Sequence, residues 1–208
     1  MIAQIKSYQM TPEEYLEWEP TQEDRYEYVD GDVYAMTGGT KPHNRIALNL
    51  VAALDGYLQD KGCEIYMADV KVQASPTSAY HYPDLVVTCD RRDQNSNQLV
   101  QYPCLIIEVL SPSTEAYDSL SETLRERGSK FARYRKLETL QEYVLIESTA
   151  IGVECFRRNA EGFWVLHPYE AGDTVTFESI GCSLAIDTLY RQVRFDETAI
   201  ASDGEAVN

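Results

Sequence analysis

The stretch Cys104-Leu105-Ile106-Ile107-Glu108-Val109-Leu110 places one carboxylate in the middle of an apolar run. A run this apolar predicts a strand that is buried on both faces of a sheet. Burying an ionised carboxylate is unfavourable unless a cation or a set of hydrogen bonds compensates its charge. We therefore interpret Glu108 as a functional residue. The alternative is a structural acid that is salt-bridged to a buried Arg or Lys.

A second acid, Asp84, opens another apolar strand in Tyr82-Pro83-Asp84-Leu85-Val86-Val87. The polar stretch from Asp90 to Gln98 predicts a surface loop between the two strands, which suits neighbours in one sheet. Two carboxylates placed in this way can converge on one hard cation, and the main-chain carbonyl of Val109 can supply a third oxygen. The pattern therefore predicts a magnesium site made by Asp84, Glu108 and Val109.

The length and composition limit the class of protein. A chain of 208 residues with 44% hydrophobic content predicts one domain over residues 1–195, followed by a polar, frayed tail at 196–208. The sequence lacks an apolar stretch of about 18 residues and a signal peptide, so we expect a cytoplasmic protein that does not enter a membrane. The five cysteines are odd in number and form no CxxC pair, which favours buried reduced thiols over disulfides or zinc.

Local patterns predict an α/β fold with a mixed central sheet flanked by helices. Thr11-Pro12-Glu13-Glu14 is a capping box that begins a short N-terminal helix, and Asp30-Gly31 is the turn of a β-hairpin. An amphipathic helix is expected at 41–60, and a long helix after Ser111-Pro112-Ser113-Thr114 that carries Leu120, Leu124, Phe131 and Tyr134. Further strands are expected at 63–67, 70–73, 85–89, 105–110, 142–147, 153–157, 163–167 and 174–177, with a short helix near 186–191.

Charge is unevenly distributed along the chain. The net charge of -16 argues against a generic polyanion binder. Between residues 125 and 136, however, six basic side chains stand against the single acid Glu126: Arg125, Arg127, Lys130, Arg133, Arg135 and Lys136. On composition alone, this basic segment is best interpreted as a helix face exposed to solvent. On spacing alone, an ordinary helical ion pair between Glu126 and Lys130 is slightly favoured over a catalytic role for Lys130.

Tyr-Pro-Asp at 82–84 and Ile-Ile-Glu-Val at 106–109 resemble the PD-(D/E)xK nuclease superfamily, although Leu110 stands where the usual lysine would be. The whole layout resembles the Uma-two family, whose members are described as putative restriction endonucleases. The matching segments, in order, are Tyr26-Glu27-Tyr28-Val29-Asp30-Gly31, His43, Pro83-Asp84, Glu108-Val109-Leu110-Ser111 and Arg127-Gly128-Ser129-Lys130-Phe131-Ala132-Arg133-Tyr134.

The resemblance implies a PD-(D/E)xK restriction-endonuclease-like fold and a Mg²⁺- or Mn²⁺-dependent endonuclease, most simply acting on DNA as a homodimer. It implies that the lysine has moved to a helix as Lys130, so that the catalytic residues are Asp84, Glu108 and Lys130. It adds Glu27 as a further acid near the metal. The substrate-binding residues would be His43, Arg127, Arg133 and Tyr134. The alternative function is a non-catalytic binding or regulatory module on a nuclease-like scaffold.

Overall fold

The computed structural model describes residues 9–36, 38–75, 77–110 and 130–195 of the chain. In these ranges the helices are α1 (Pro12–Trp18), α2 (Lys41–Gln59), α3 (residues 130–134) and α4 (Ile186–Leu189). The strands are β1 (Tyr26–Val29), β2 (Asp32–Ala35), β3 (Glu64–Met67), β4 (Lys71–Ser75), β5 (Ala79–His81), β6 (Leu85–Thr88), β7 (Leu99–Val100), β8 (Pro103–Leu110), β9 (Glu142–Glu147), β10 (Val153–Arg158), β11 (Trp164–Tyr169), β12 (Thr174–Phe177) and β13 (Cys182–Ala185).

The central sheet has the strand order β11-β10-β9-β8-β6-β3. The pair β8–β9 is parallel, whereas β8 runs antiparallel to β6 and β9 runs antiparallel to β10. The chain returns from β8 to the parallel strand β9 by a long connection, as a parallel pair requires. The prediction of an α/β fold with a mixed sheet and flanking helices is therefore confirmed.

Strand β8 is covered on both faces, as its apolar sequence predicts. Leu105, Ile107 and Val109 belong to the hydrophobic cluster that includes the apolar face of α2. Ile106 belongs to a second cluster on the opposite face, which includes Tyr134. Because side chains alternate along a strand, Glu108 points to the same face as Ile106.

A second sheet, ordered β2-β1-β5-β4-β7, contains the predicted hairpin. Asp30 and Gly31 both have positive φ, at 51° and 101°, which suits the tight Asp-Gly turn between β1 and β2. Helix α1 begins with the predicted capping box, in which Thr11 and Glu14 cap each other. Its Tyr15 is fully buried against Tyr28, so the N-terminal helix is packed onto the hairpin.

Three strands were not predicted: β5, β7 and β13. The first two have only three and two residues, which is too short for an alternating pattern to be visible. Of the predicted long helix, only residues 130–134 lie in the described part of the chain, so Leu120, Leu124 and the tail at 196–208 lie outside it. In the described ranges, every helix is too short or too polar to cross a membrane.

The prediction that all cysteines are reduced is wrong. Cys63 and Cys89 form a disulfide, while Cys104, Cys155 and Cys182 are free. The reason is the register of the sheet: Glu64 of β3 pairs with Thr88 of β6, so the residues just outside these two positions face each other. The wide spacing of the cysteines in sequence gave no indication of this pairing.

Candidate active site

Asp84 directly precedes β6 and lies beside Glu108 of the neighbouring strand β8. Leu85 of β6 pairs with Ile107 of β8, so the next position in the register sets Asp84 beside Glu108. Asp84 Oδ2 accepts a hydrogen bond of 2.7 Å from the main-chain N–H of Val109. This bond fixes the Asp84 carboxylate against the main chain of β8 at Val109.

Lys130, on α3, reaches Glu27 of β1 and Glu108 of β8. Its Nζ lies 2.8 Å from Glu27 Oε1 and 3.5 Å from Glu108 Oε1. Leu110, which occupies the usual strand position of the lysine, packs against the second hydrophobic cluster instead. Lys130 of α3 therefore places its amine beside Glu108, whereas Leu110 of β8 does not.

The electrostatics of the site reveal an excess of negative charge. Burial raises the pKa of Glu108 to about 8; Lys130 opposes the shift, and the nearby Asp84 and Glu27 add to it. Burial alone would lower the pKa of Lys130, but Glu108 and Glu27 raise it above its ordinary value. The Lys130 ammonium therefore keeps its charge between the carboxyl groups of Glu27 and Glu108.

His43 lies at the start of α2, where it contacts Asp84. The distance from His43 Nε2 to Asp84 Oδ1 is 3.2 Å. Burial lowers the pKa of His43, but the Asp84 carboxylate, Glu108 and the Val109 carbonyl raise it above its ordinary value. A Cβ on Gly39 would lie 2.8 Å from the imidazole Nδ1, so the loop before α2 needs a glycine to pass the ring.

The donor set of this site fits a hard divalent cation. Two carboxylates and one main-chain carbonyl are oxygen ligands of the kind that Mg²⁺ and Mn²⁺ take, with water completing the coordination. The raised pKa of Glu108 shows where additional positive charge would be stabilising. In the described part of the chain, no three His, Cys, Asp or Glu side chains form a ready-made cage.

The other predicted residues lie around this centre. Tyr134 is fully buried, and its hydroxyl donates to Glu108 Oε1 at 3.5 Å, so it lies behind the carboxylate. Arg133 contacts Asp30 at 2.9 Å, at the hairpin turn. Arg125 and Arg127 lie outside the described residues, whereas Arg135 and Lys136 are described and exposed.

Sequence reasoning did not single out His81. It is the last residue of β5, it is buried, and its Nδ1 lies 3.0 Å from Glu27 Oε2. The main-chain N–H of Tyr82 donates to the other oxygen of Glu27. One feature of the sequence could have indicated its role. His81 stands directly before Tyr-Pro-Asp, so a short strand that ended there would bring it close to Asp84.

The fold and the site together define the class of protein. A mixed central sheet with acids on two adjacent strands and a lysine amine beside them belongs to the restriction-endonuclease-like class. Residues 12–187 match the family model Uma2, which is described as a putative restriction endonuclease. The chain belongs to this Uma2 (Uma-two) family, as its motifs predicted.

Two relatives share much of the sequence. The uncharacterized protein slr1290 of Synechocystis sp. (strain PCC 6803) is 44% identical over 186 residues, which cover 89% of this chain and 94% of the relative. The uncharacterized protein sll1609 of the same organism is 31% identical over 159 residues, covering 76% and 85% of the two chains.

A solved structure shares the fold. The crystal structure of a putative nuclease belonging to DUF820 from Anabaena variabilis superposes with a TM-score of 0.71 at 19% sequence identity. The match covers 89% of this chain and 99% of that protein. The restriction-endonuclease-like architecture is therefore shown for nearly the whole chain.

Proposed function

We propose that this protein is a metal-dependent endonuclease that hydrolyses phosphodiester bonds, with DNA as its substrate and Mg²⁺ or Mn²⁺ as its cofactor. The observation that carries the proposal is the convergence of Asp84, Glu108 and Lys130 at one point of the central sheet. These residues come from three different elements. Family and fold support nuclease chemistry for such a convergence.

Asp84, Glu108 and the Val109 carbonyl would hold the metal. A divalent cation held there supplies two effects: it lowers the pKa of a water molecule and stabilises charge on the phosphoryl oxygen. The hydrogen bond from the Val109 N–H orients Asp84 before any cation arrives. The carboxyl groups of Glu108 and the nearby Asp84 would attract a cation at this point.

Lys130 would orient the attacking water and offset charge that develops in the transition state. Its amine lies 3.5 Å from Glu108, and its raised pKa keeps it charged. His43 places its imidazole against Asp84 at the same site, where a phosphate could meet it. Arg133 and Arg127 would add cationic contacts to the nucleic acid backbone, and Tyr134 would support Glu108 from the buried side.

A plasmid-nicking assay tests this function. The purified protein should convert supercoiled plasmid to nicked and linear forms with Mg²⁺ or Mn²⁺, and EDTA should abolish the reaction. Single-stranded DNA and RNA, assayed in parallel, identify the substrate class. If the protein neither cleaves any of these nor binds Mn²⁺, the proposal is wrong and the non-catalytic module on this scaffold is favoured.

We propose that the protein is a homodimer formed through the edge of the central sheet at β11. Phe163, Val165 and Leu166 expose 68%, 41% and 45% of their surface at this edge. Residues 162–169 carry no formally charged side chain, although the net charge of the chain is -16. Because copies of so acidic a chain repel one another, an uncharged apolar strip is where they can approach.

Replacing Leu166 with Lys should shift the protein from dimer to monomer in sedimentation velocity at micromolar concentration, since it places a charge in the apolar strip of both copies. Leu48→Lys is the matched control, because Leu48 is 46% exposed and lies on α2. A wild-type protein that is already monomeric, or a Leu48→Lys variant that dissociates equally, would contradict this interface.

A further inference from the structure

Glu27 has the environment of an orienting carboxylate. Its Oε1 accepts hydrogen bonds from Lys130 Nζ at 2.8 Å and from the Tyr82 N–H at 3.1 Å. Its Oε2 lies 3.0 Å from His81 Nδ1. Three donors therefore occupy three of the roughly four lone-pair sites of this carboxylate, which leaves it engaged mainly with Lys130, Tyr82 and His81.

The contact between Glu27 and His81 is built into the second sheet. Tyr28 of β1 pairs with Tyr80 of β5, so the next position in the antiparallel register sets Glu27 opposite His81. His81 is 2% exposed, and its ring packs edge-on against Tyr134 at 5.4 Å. The His81 side chain therefore has little freedom to leave Glu27.

The two nitrogens of His81 differ in their surroundings. Nδ1 faces the Glu27 carboxylate and is the nitrogen that carries the donated proton. Nε2 is buried and has no hydrogen-bond partner in the described part of the chain. Leaving a buried nitrogen unpaired is unfavourable, which indicates that the site retains this histidine for its bond to Glu27.

Lys130 is shared unequally between two carboxylates. It lies 2.8 Å from Glu27 but 3.5 Å from Glu108, so Glu27 holds the amine and leaves Glu108 less completely neutralised. Burial would raise the pKa of Glu27, but the contacts with Lys130 and His81 outweigh this and lower the pKa below its ordinary value. Glu27 is therefore ionised. An ionised Glu27 can fix a long, flexible lysine in one position.

We propose that Glu27 is a positioning residue for Lys130, itself fixed by His81 and the Tyr82 N–H, and that it does not bind the metal. The consequence for catalysis rests on the nuclease function proposed above. Glu27 would prevent Lys130 from pairing fully with Glu108, so that one carboxylate serves the lysine and the other serves the cation. A preorganised amine avoids the cost of ordering its side chain during the reaction.

Glu27→Gln tests the proposal, with Glu17→Gln as the matched control because Glu17 is exposed on α1. We expect the Mn²⁺ affinity of Glu27→Gln to fall by less than about tenfold, because no metal ligand is lost and only the released Lys130 opposes the cation at Glu108. The kcat for cleavage should fall by about 10–100-fold with KM unchanged, because the amine is misplaced. A loss of Mn²⁺ affinity as large as that of Glu108→Gln, or an unchanged kcat, would overturn the positioning role.

The reactivity of Lys130 gives a readout that does not depend on cleavage. Labelling with an acetylating reagent, followed by mass spectrometry, should modify Lys130 several-fold faster in Glu27→Gln than in wild type, while the exposed Lys136 is labelled at the same rate in both. Unchanged labelling of Lys130 would overturn the proposal. If the wild-type protein cleaves nothing, the nuclease function fails, and this labelling still decides whether Glu27 holds Lys130.

Substitutions at His81 separate positioning from folding. His81→Asn keeps a side-chain N–H that can reach Glu27, whereas His81→Leu removes it. We expect His81→Leu to expose Lys130 to labelling and to lower kcat, and His81→Asn to restore both in part. Equal behaviour of the two variants, with thermal unfolding unchanged, would show that His81 does not act through Glu27.

Discussion

Glu108→Gln should abolish metal-dependent cleavage, with at least about a 10³-fold loss, because it removes a metal ligand together with the charge that attracts the cation. Mn²⁺ affinity should fall by more than about tenfold, since changes to outer-shell partners alone cost roughly 10–100-fold. The fold should persist. Glutamine has nearly the same shape, and Lys130 keeps Glu27 as a partner. Calorimetric titration with Mn²⁺ and plasmid cleavage measure both effects.

Glu138→Gln is the control, since Glu138 is exposed and the change in net charge is identical. It should cleave and bind Mn²⁺ as the wild type does. Thermal unfolding must be measured on both variants so that loss of structure is distinguished from loss of a ligand. A Glu108→Gln protein that retains full cleavage would remove Glu108 from the metal site.

Lys130→Ala should lower the rate of cleavage by about 10²–10³-fold, the usual effect of removing one preorganised donor from a transition state. Mn²⁺ should bind at least as tightly as before, because the amine lies 3.5 Å from Glu108 and repels a second cation. Glu108→Gln should therefore weaken Mn²⁺ binding, whereas Lys130→Ala should not. Single-turnover cleavage and Mn²⁺ titration on the same preparations provide the comparison.

Arg91→Ala is the control for Lys130→Ala, because it removes one positive charge from an exposed position in the loop after β6. It should leave the rate of cleavage unchanged at moderate salt. A Lys130→Ala variant that cuts normally would contradict the transfer of the lysine from strand to helix. The same result would leave Asp84 and Glu108 as metal ligands without a cationic partner.

The elements that sequence predicted best are those that short-range physics determines. The capping box of α1 and the Asp-Gly turn of the hairpin are properties of three or four consecutive residues, and both are present. Strand β8 was recognised because an unbroken apolar run needs cover on both faces. Strands β5 and β7 were missed because so few residues carry no periodicity.

The candidate site divides in the same way. The pairing of Asp84 with β8 was predictable, because two apolar strands joined by a short polar loop tend to be neighbours. The partner of Glu27 was not predictable, since Lys130 lies 103 positions away in the chain. The disulfide between Cys63 and Cys89 depended likewise on the register of β3 and β6, which sequence spacing does not reveal.

By itself, the sequence determined that a carboxylate stands in a buried strand, that a second opens a neighbouring strand, and that basic residues follow on a helix. Burial cost makes such an acid conspicuous without any knowledge of its surroundings. Only the tertiary structure decided which charges meet. Lys130 contacts Glu27 more closely than Glu108, and His81 fixes Glu27, because two sheets and a helix bring together groups whose interaction energies depend on distances that no local pattern encodes.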